Sequence, residues 1–164
     1  MASNDYAFIT EWRVEAPPEL VYDILIEGED LPRWWPEVYL SAKAERPPDG
    51  GTIGTRLELH TRGWLPYTLK WTAETTRADR PSGFALRATG DFDGTGVWTF
   101  TPDRSGTHIR FDWTLRAEKP ILRSLSFLLK PVFSWNHRWA MAKGYENLRR
   151  EVRRRSVANA SVSP

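Results

Sequence analysis

The C-terminal third of the chain carries one long helical pattern, and this feature constrains the fold more than any other. Between residues 122 and 155 the only proline is Pro131, and no glycine occurs before Gly144. From Pro131 onward, apolar residues recur every three to four positions, which is the period of an amphipathic helix. Proline suits a first helical turn, because the amide hydrogen that it lacks would be unpaired there anyway. The pattern predicts a helix from Pro131 to Arg155 with one broad buried side.

The helical period arranges the apolar residues of this segment in two neighbouring stripes. It places Arg138 between the stripes, and it places His137 and Gly144 on the opposite side. A buried guanidinium is costly without a partner. The sequence leaves three roles open for Arg138: stacking on a tryptophan, pairing with a carboxylate, or binding an acidic group of a ligand. The stripes consist of Leu128, Val132, Trp135, Trp139 and Ala142, and of Met141, Tyr145, Leu148 and Val152.

Seven segments ahead of the helix alternate apolar and polar residues, which is the pattern of half-buried β-strands. Two short helical segments follow the first strand: one is opened by Pro17 or Pro18 and ended by Gly28, and the other extends from Glu29 to Trp35. Turn-rich stretches separate the later strands at the spacing of an antiparallel sheet. The predicted strands lie near residues 6–15, 38–45, 53–59, 65–73, 84–88, 98–100 and 109–117.

Together these elements predict an α+β fold, in which a curved antiparallel sheet of about seven strands wraps around the long helix. A chain of 164 residues has the size of a single domain. We expect this domain to span residues 1–155. The small and polar residues 156–164 predict a disordered tail.

The composition argues against several classes of protein and site. The chain has no cysteine, so it contains no disulfide, no thiol nucleophile and no thiolate metal site. No apolar run approaches the roughly 18 residues of a transmembrane helix, and the N-terminus lacks the basic start and apolar core of a signal peptide. We therefore expect a cytoplasmic protein without a transmembrane segment. Positive charge is concentrated between residues 138 and 155, near the predicted C-terminus of the helix, where it stabilises the negative end of the helix dipole. Because the charge is confined to this one helix end, it argues against a nucleic-acid partner.

Three stretches of the sequence carry a family resemblance. They read EAPPELVYDILIEGEDLPRWWPEV, ATGDFDGTGVWTF and PVFSWNHRWAMAKGYENLRR. The chain resembles the START-like (SRPBCC, helix-grip) superfamily from about Tyr6 to Arg155, and within it the polyketide cyclase/dehydrase-like group. The resemblance implies a helix-grip fold with a deep pocket for a hydrophobic small molecule under the long helix. Because the superfamily includes cyclases, hydratases and lipid carriers, it does not fix a function.

The candidate ligand-binding residues are the large side chains predicted to face inward. Trp34 and Trp35 are predicted to lie at the pocket mouth, although packing between the short helices and the sheet is the alternative. Trp64 is predicted either to project from a loop tip or to fold back on the sheet. The candidate set comprises Trp34, Trp35, Leu57, Leu59, Tyr67, Leu69, Trp71, Leu86, Trp98, Phe111, Trp113, Trp135, Arg138 and Trp139.

The sequence contains little that indicates catalysis. His60, His108 and His137 are all predicted to face solvent, and no cluster of residues suggests a metal site. Asp91 and Asp93 are expected to cap backbone groups of a turn. The run from Gly94 to Gly96 reads as a hairpin turn. The sequence therefore gives no catalytic residue, no metal and no cofactor.

Three functions remain open at this point. The first is binding or carriage of a hydrophobic molecule, which would be lipid-like, polyketide-like or aromatic. The second is a polyketide cyclase or dehydratase activity on such a molecule, with one acid–base group in the pocket. The third is an interaction module whose core is filled by its own aromatic side chains. The scarcity of inward titratable groups favours binding. The expected partner is a hydrophobic ligand, and the sequence leaves open whether the protein forms a homodimer.

Overall fold

The computed structural model describes residues 5–117 and 120–162. Its backbone alternates short turns with long strands, as the apolar–polar alternation of the sequence predicts. The strands are β1 (Asp5–Val14), β2 (Tyr39–Glu45), β3 (Arg56–Arg62), β4 (Thr68–Asp79), β5 (Gly83–Gly90), β6 (Phe92–Asp103) and β7 (Gly106–Ala117). The helices are α1 (Pro18–Ile26), a 3-10 turn (Gly28–Asp30), α2 (Leu31–Trp34) and α3 (Pro120–Val162).

The seven strands form one antiparallel sheet in the order β1-β7-β6-β5-β4-β3-β2. From β2 to β7, neighbours in the sheet are neighbours in sequence. The first two strands lie at opposite edges, so α1 and α2 connect one edge to the other. Register shifts between Tyr39 and Ser41 and between Thr75 and Arg77 bend the strands. The predicted fold class, a curved sheet with a long C-terminal helix and two short helices after the first strand, is confirmed.

Helix α3 is longer at both ends than the sequence pattern predicts. It begins at Pro120, so Pro131 lies inside the helix and not in its first turn. That position forfeits one backbone hydrogen bond. The helix ends at Val162, so residues 156–162 are helical where a disordered tail was expected. Adding residues to a helix that already exists needs no new nucleation, and this favours the extension. The domain boundary at residue 155 stays a prediction.

One of the two predicted apolar stripes of α3 is buried in the core, and the other is partly exposed. Arg138 is exposed, and Trp135 is 41% exposed, so the prediction that both lie within a buried arc is wrong. Leu128 of the predicted stripe lies outside the residues whose side chains are described. Gly144 is buried, and a Cβ atom at this position would overlap the indole ring of Trp35. The glycine lets Trp35 approach the helix closely. The predicted stripe through Met141, Leu148 and Val152 is therefore the buried one, and the predicted stripe that carries Trp135 is not.

A buried carboxylate fixes the C-terminal half of α3 to the short helices. The Glu151 side chain is 3% exposed and accepts hydrogen bonds from Arg33 Nη2 at 2.5 Å, Arg154 Nη2 at 2.7 Å and Arg155 Nε at 3.0 Å. Burial alone would raise the pKa of Glu151, but these arginines outweigh it and hold the pKa well below its usual range. The carboxylate is therefore charged at neutral pH.

Candidate functional site

A cavity of about 210 Å³ lies between the concave face of the sheet and α3. Strands from β1 to β7 supply most of its wall, and α3 closes one side. Its lining is mainly aromatic and aliphatic. The lining residues are Tyr6, Phe8, Trp35, Val38, Tyr39, Thr61, Arg62, Gly63, Tyr67, Leu69, Trp71, Leu86, Phe92, Trp98, Phe111, Trp113, Leu115, Phe133, Asn136, His137, Ala140 and Met141.

Stacked aromatic rings form the sheet side of the cavity. The rings of Trp98 and Phe111 stack with centroids 4.1 Å apart, and Phe111 stacks on Trp113 at 5.5 Å. Gly96 makes room for this wall, because a Cβ atom there would lie 2.9 Å from the Trp113 ring. The run from Gly94 to Gly96 is therefore part of β6, and the predicted hairpin turn at this position is wrong. The wall is fixed by its own packing and presents flat ring surfaces to the cavity.

His137 is the basic side chain that α3 contributes to the cavity lining. Its ring stacks on Phe8 with centroids 4.1 Å apart and planes 19° apart. The Nε2 atom is buried and has no hydrogen-bond partner among the described residues. Burial, followed by the charge of Arg138, lowers the pKa of His137 to about 4. The prediction that His137 faces solvent is therefore wrong, and its imidazole is neutral at physiological pH.

Other polar groups of the lining already have defined roles. Thr61 Oγ1 accepts a hydrogen bond from Trp71 Nε1 at 3.0 Å. Asn136 Oδ1 accepts from the backbone amide of Trp64 at 2.6 Å. Burial, followed by Tyr6, raises the pKa of the Tyr67 phenol to about 12, so this group is neutral. The described part of the cavity therefore presents its hydrogen-bonding groups in uncharged form, apart from Arg62 at its edge.

Eight of the fourteen sequence-predicted site residues line this cavity, and the other six lie elsewhere in the structure. Leu57 and Leu59 line a second cavity of about 90 Å³, which shares Trp35, Tyr39, Trp71, Leu86 and Trp98 with the first. Trp34 is buried in the core and stacks on Trp35. Trp139 packs half-buried against the core, while Trp135 and Arg138 lie on the exposed side of α3. The eight residues on the main cavity are Trp35, Tyr67, Leu69, Trp71, Leu86, Trp98, Phe111 and Trp113.

Sequence reasoning expected α3 to contribute to the pocket but chose the wrong residues of this helix. It assigned Trp135, Arg138 and Trp139 to the pocket and took His137 as exposed. A signal was present, because His137, Ala140, Met141 and Gly144 follow one another at helical spacing. The large tryptophans of the same helix obscured this weaker pattern.

The remaining histidines and aspartates lie outside the main cavity. The His108 side chain is 42% exposed, as predicted, and lies 3.4 Å from Glu11. His60 is half-buried with an enclosed Nε2, so the prediction that it faces solvent is wrong. Asp91 Oδ2 accepts a hydrogen bond from the backbone amide of Lys70 at 2.8 Å, which is the backbone-capping role expected for it. Asp93 is exposed on β6.

No group of three or more His, Cys, Asp or Glu side chains in the part of the chain that the structure describes could hold a metal ion. The helices within residues 5–117 and 120–162 include none long and apolar enough to cross a membrane.

The low pKa of His137 predicts a specific pH dependence of stability. In the unfolded chain this histidine has an ordinary pKa of 6.5, against about 4 in the folded protein. Between these values the unfolded state binds more protons, so stability is fully present above pH 6.5 and falls as the pH decreases towards 4. From pH 7.5 to pH 5 we expect the wild type to lose up to about 2 kcal/mol more than a His137→Phe variant.

Urea denaturation of both proteins at these two pH values measures the difference. The carboxylates contribute little to it, because those with lowered pKa values titrate below pH 5 in both states. His108→Phe is the matched control, since that histidine is exposed. Equal pH dependence in wild type and His137→Phe would show that His137 is not buried in its neutral form.

Comparison with known proteins identifies the family of the chain. The model of the family described as polyketide cyclase/dehydrase and lipid transport matches residues 8–153. No curated protein sequence matches the chain significantly.

Solved structures share the whole fold at low sequence identity. TTHA0849 from Thermus thermophilus superposes with a TM-score of 0.75 at 22% identity, covering 96% of this chain and 100% of that one. The Zhui aromatase/cyclase from Streptomyces sp. R1128 gives a TM-score of 0.70 at 14% identity, with 93% and 96% covered. A START superfamily protein from Mycobacterium smegmatis gives 0.67 at 15% identity, with 90% and 97% covered. The extent of the family match shows that this chain is a member of the polyketide cyclase/dehydrase and lipid transport family.

Proposed function

We propose that the protein binds a hydrophobic small molecule in the cavity between the sheet and α3. The observation that carries this proposal is an apolar, aromatic-lined cavity of about 210 Å³. One water molecule needs only about 10–15 Å³ of such space and two to four polar partners. A cavity this large and this apolar is therefore better suited to an organic ligand than to ordered water. The same volume argues against a core filled by the protein's own side chains.

The unpaired polar atoms of the lining favour a ligand that carries oxygen. His137 Nε2 and Trp35 Nε1 are both buried and have no hydrogen-bond partner among the described residues. An unsatisfied buried polar group costs about 1–3 kcal/mol, so a ligand that satisfies one gains affinity. We therefore propose a ligand with an apolar or aromatic body and a neutral oxygen group, as in a polyketide-like molecule. A fatty-acid-like lipid is the less favoured form, because the described lining offers a carboxylate only Arg62, at the cavity edge.

The proposed binding residues follow from the cavity and not from the sequence alone. Arg138 and Trp135 are left out, because their side chains lie on the exposed side of α3. A cytoplasmic location belongs to the same proposal and rests on the absence of cysteine. The proposed set is Phe8, Trp35, Tyr67, Leu69, Trp71, Leu86, Trp98, Phe111, Trp113, Phe133, His137 and Met141.

A pair of variants on one helix tests the proposed binding. Ala140 lines the cavity, whereas Ala142, two residues along, is exposed. Ala140→Phe places a ring in the cavity and should weaken binding of the neutral dye N-phenyl-1-naphthylamine at least tenfold. Ala142→Phe adds the same ring on the surface and should leave the affinity unchanged.

The measurement is a fluorescence titration of each folded variant with this dye. The wild type should saturate at one dye per chain. Absence of saturable binding by the wild type, together with no response to other aromatic and polyketide-like ligands, would contradict the proposal. Equal loss of affinity in both variants would mean that the dye does not occupy this cavity.

A cyclase or dehydratase activity is the second candidate, and His137 is the observation that favours it. A neutral imidazole in a water-poor cavity can accept a proton from a bound substrate. Its pKa of about 4 makes it a weak base at neutral pH, so binding without chemistry is the better-supported function. Incubation with a linear poly-β-keto thioester separates the two. Cyclised product formed faster than in buffer, and lost in His137→Phe, would establish the enzyme.

A further inference from the structure

Two tryptophans are exposed side by side where the β3–β4 loop meets α3. Trp64 is 60% exposed, which confirms the loop-tip alternative, and Trp135 is 41% exposed. Their ring centroids are 4.7 Å apart in an edge-to-face arrangement. Val132, just under one helical turn before Trp135, is also exposed. These three residues form a surface that we call the tryptophan patch. Clustered exposed apolar side chains of this size indicate an interaction surface.

The tryptophan patch is held in place before any partner arrives. Asn136 Oδ1 accepts hydrogen bonds from the backbone amides of Trp64 at 2.6 Å and Leu65 at 3.3 Å. The loop can approach the helix this closely because Gly63 has no side chain, and a Cβ atom there would overlap Asn136. Loop and helix therefore present their two indoles as one preformed surface. Preorganisation of this kind lowers the entropic cost of binding.

The surroundings of the patch are positively charged. Arg62 precedes Trp64 by two residues, Arg138 follows Trp135 by one helical turn, and both side chains are exposed. Lys130 lies 5.5 Å from the ring centre of Tyr6. Residues 59–73 and 130–145 contain no aspartate or glutamate, and Asp91 contacts the first of these segments at the backbone amide of Lys70. A partner of this surface is therefore expected to be negatively charged.

The patch also borders the cavity. Gly63 and Asn136, which line the cavity, are the sequence neighbours of Trp64 and Trp135. Among the lining residues, Arg62 is the one whose side chain is exposed. The cavity therefore comes to the surface beside the patch.

We propose that the tryptophan patch docks the protein on an anionic lipid bilayer. Indoles prefer the membrane–water interface, where the ring is buried and its N–H remains wet. Arginine and lysine near the surface are attracted to anionic headgroups. Docking in this orientation turns the edge of the cavity at Arg62 towards the lipid. The proposal goes beyond ligand binding and does not depend on it, because the patch lies outside the cavity.

Vesicle sedimentation with the full chain tests the proposal. The wild type should bind vesicles of phosphatidylglycerol and phosphatidylcholine, and should bind pure phosphatidylcholine vesicles at least tenfold more weakly. A Trp64→Ser/Trp135→Ser variant should lose at least tenfold in affinity for the anionic vesicles. Ile9→Ser/Ile53→Ser is the matched control, because it removes two apolar side chains that are 64% and 58% exposed elsewhere. This control should bind as the wild type does.

A second pair of variants tests the charge. Arg138→Gln should weaken vesicle binding severalfold, and Arg153→Gln, exposed near the other end of α3, should not. Thermal melts and size-exclusion chromatography with light scattering check that each variant is folded and report its oligomeric state. Failure of the wild type to bind anionic vesicles, or equal binding by the tryptophan variant, would overturn the proposal. A wild-type dimer that the tryptophan variant converts to monomer, without vesicle binding, would assign the patch to a second copy of the chain.

Discussion

Replacing Glu151 with alanine is expected to lower the free energy of unfolding by about 3 kcal/mol. The side chain is 3% exposed and is the shared acceptor of Arg33, Arg154 and Arg155. Removing it takes the closest ion-pair partner from Arg155, which is 21% exposed and keeps contacts to Glu27 at 3.1 Å and Asp30 at 3.2 Å. The other two guanidinium groups are 44% and 57% exposed and can turn to water, which keeps the loss near the lower end for a buried ion pair.

The matched control is Glu146→Ala, one turn and one residue earlier on the same helix. Glu146 is 54% exposed and pairs with Arg150 and Lys143, so its loss should cost less than about 1 kcal/mol. Both values come from urea denaturation at pH 7.5. A loss of less than about 1 kcal/mol for Glu151→Ala would mean that packing, and not this carboxylate, holds α3 to the short helices. In that case Arg33→Met should be neutral as well.

Gly144→Ala is expected to destabilise the protein by about 1–2 kcal/mol, although alanine is the better helix former. The added methyl group would overlap the Trp35 ring, which is 3% exposed and packed among Trp12, Trp34 and Tyr39. Overpacking of a rigid core site typically costs about 1–3 kcal/mol or more. The gain in helix propensity recovers only about 1 kcal/mol. The overlap with Trp35 therefore outweighs the gain in helix propensity, and the free energy of unfolding decreases.

Two further variants separate these opposing effects. Ala142→Gly measures the helix-propensity term at an exposed site and should cost about 1 kcal/mol. Trp35→Phe removes part of the ring that the new methyl group would meet. In the double variant, Gly144→Ala should therefore cost less than it does in the wild type, and a double-mutant cycle measures this coupling. A stabilisation of about 1 kcal/mol by Gly144→Ala alone would show that the helix and Trp35 are not in close contact.

The sheet could be predicted from the sequence because strand alternation is a local signal. Each strand carries its own period of two, and Pro17 and Gly28 delimit α1 without reference to the rest of the chain. The orientation of α3 about its own axis could be predicted only in part, because one of its two predicted stripes is buried and the other is not. An apolar pattern assigns the buried side of the helix by its large residues Trp135 and Trp139. The helix instead packs through Gly144, where its backbone comes close to the Trp35 ring. That close approach involves two residues more than 100 positions apart, and no local pattern contains it.

The candidate site shows the same limit. The alternation of inward and outward side chains along β4, β6 and β7 correctly identified Trp71, Trp98 and Trp113 as inward-facing residues. All three line the main cavity. This alternation does not show whether the inward side chains fill the core or leave a cavity, because a cavity depends on packing in three dimensions. Leu57 and Leu59 face inward as well, yet they line the smaller cavity. The neutral state of His137 likewise depends on burial against Phe8, a residue from the far end of the chain.

The position of β1 at the sheet edge has a consequence for the synthesis of the chain. Its sole partner strand in the described sheet is β7, and Asp5 pairs with Arg116, more than 100 residues later. At about 5–20 residues per second, the ribosome needs on the order of ten seconds to deliver that partner. During this interval β2 to β6 can assemble as successive hairpins, but β1 and its Tyr6 and Trp12 side chains have no strand to join. Among the strands of this sheet, β1 is thus made first and paired last, and closing such a long loop makes its pairing an intrinsically slow step of folding.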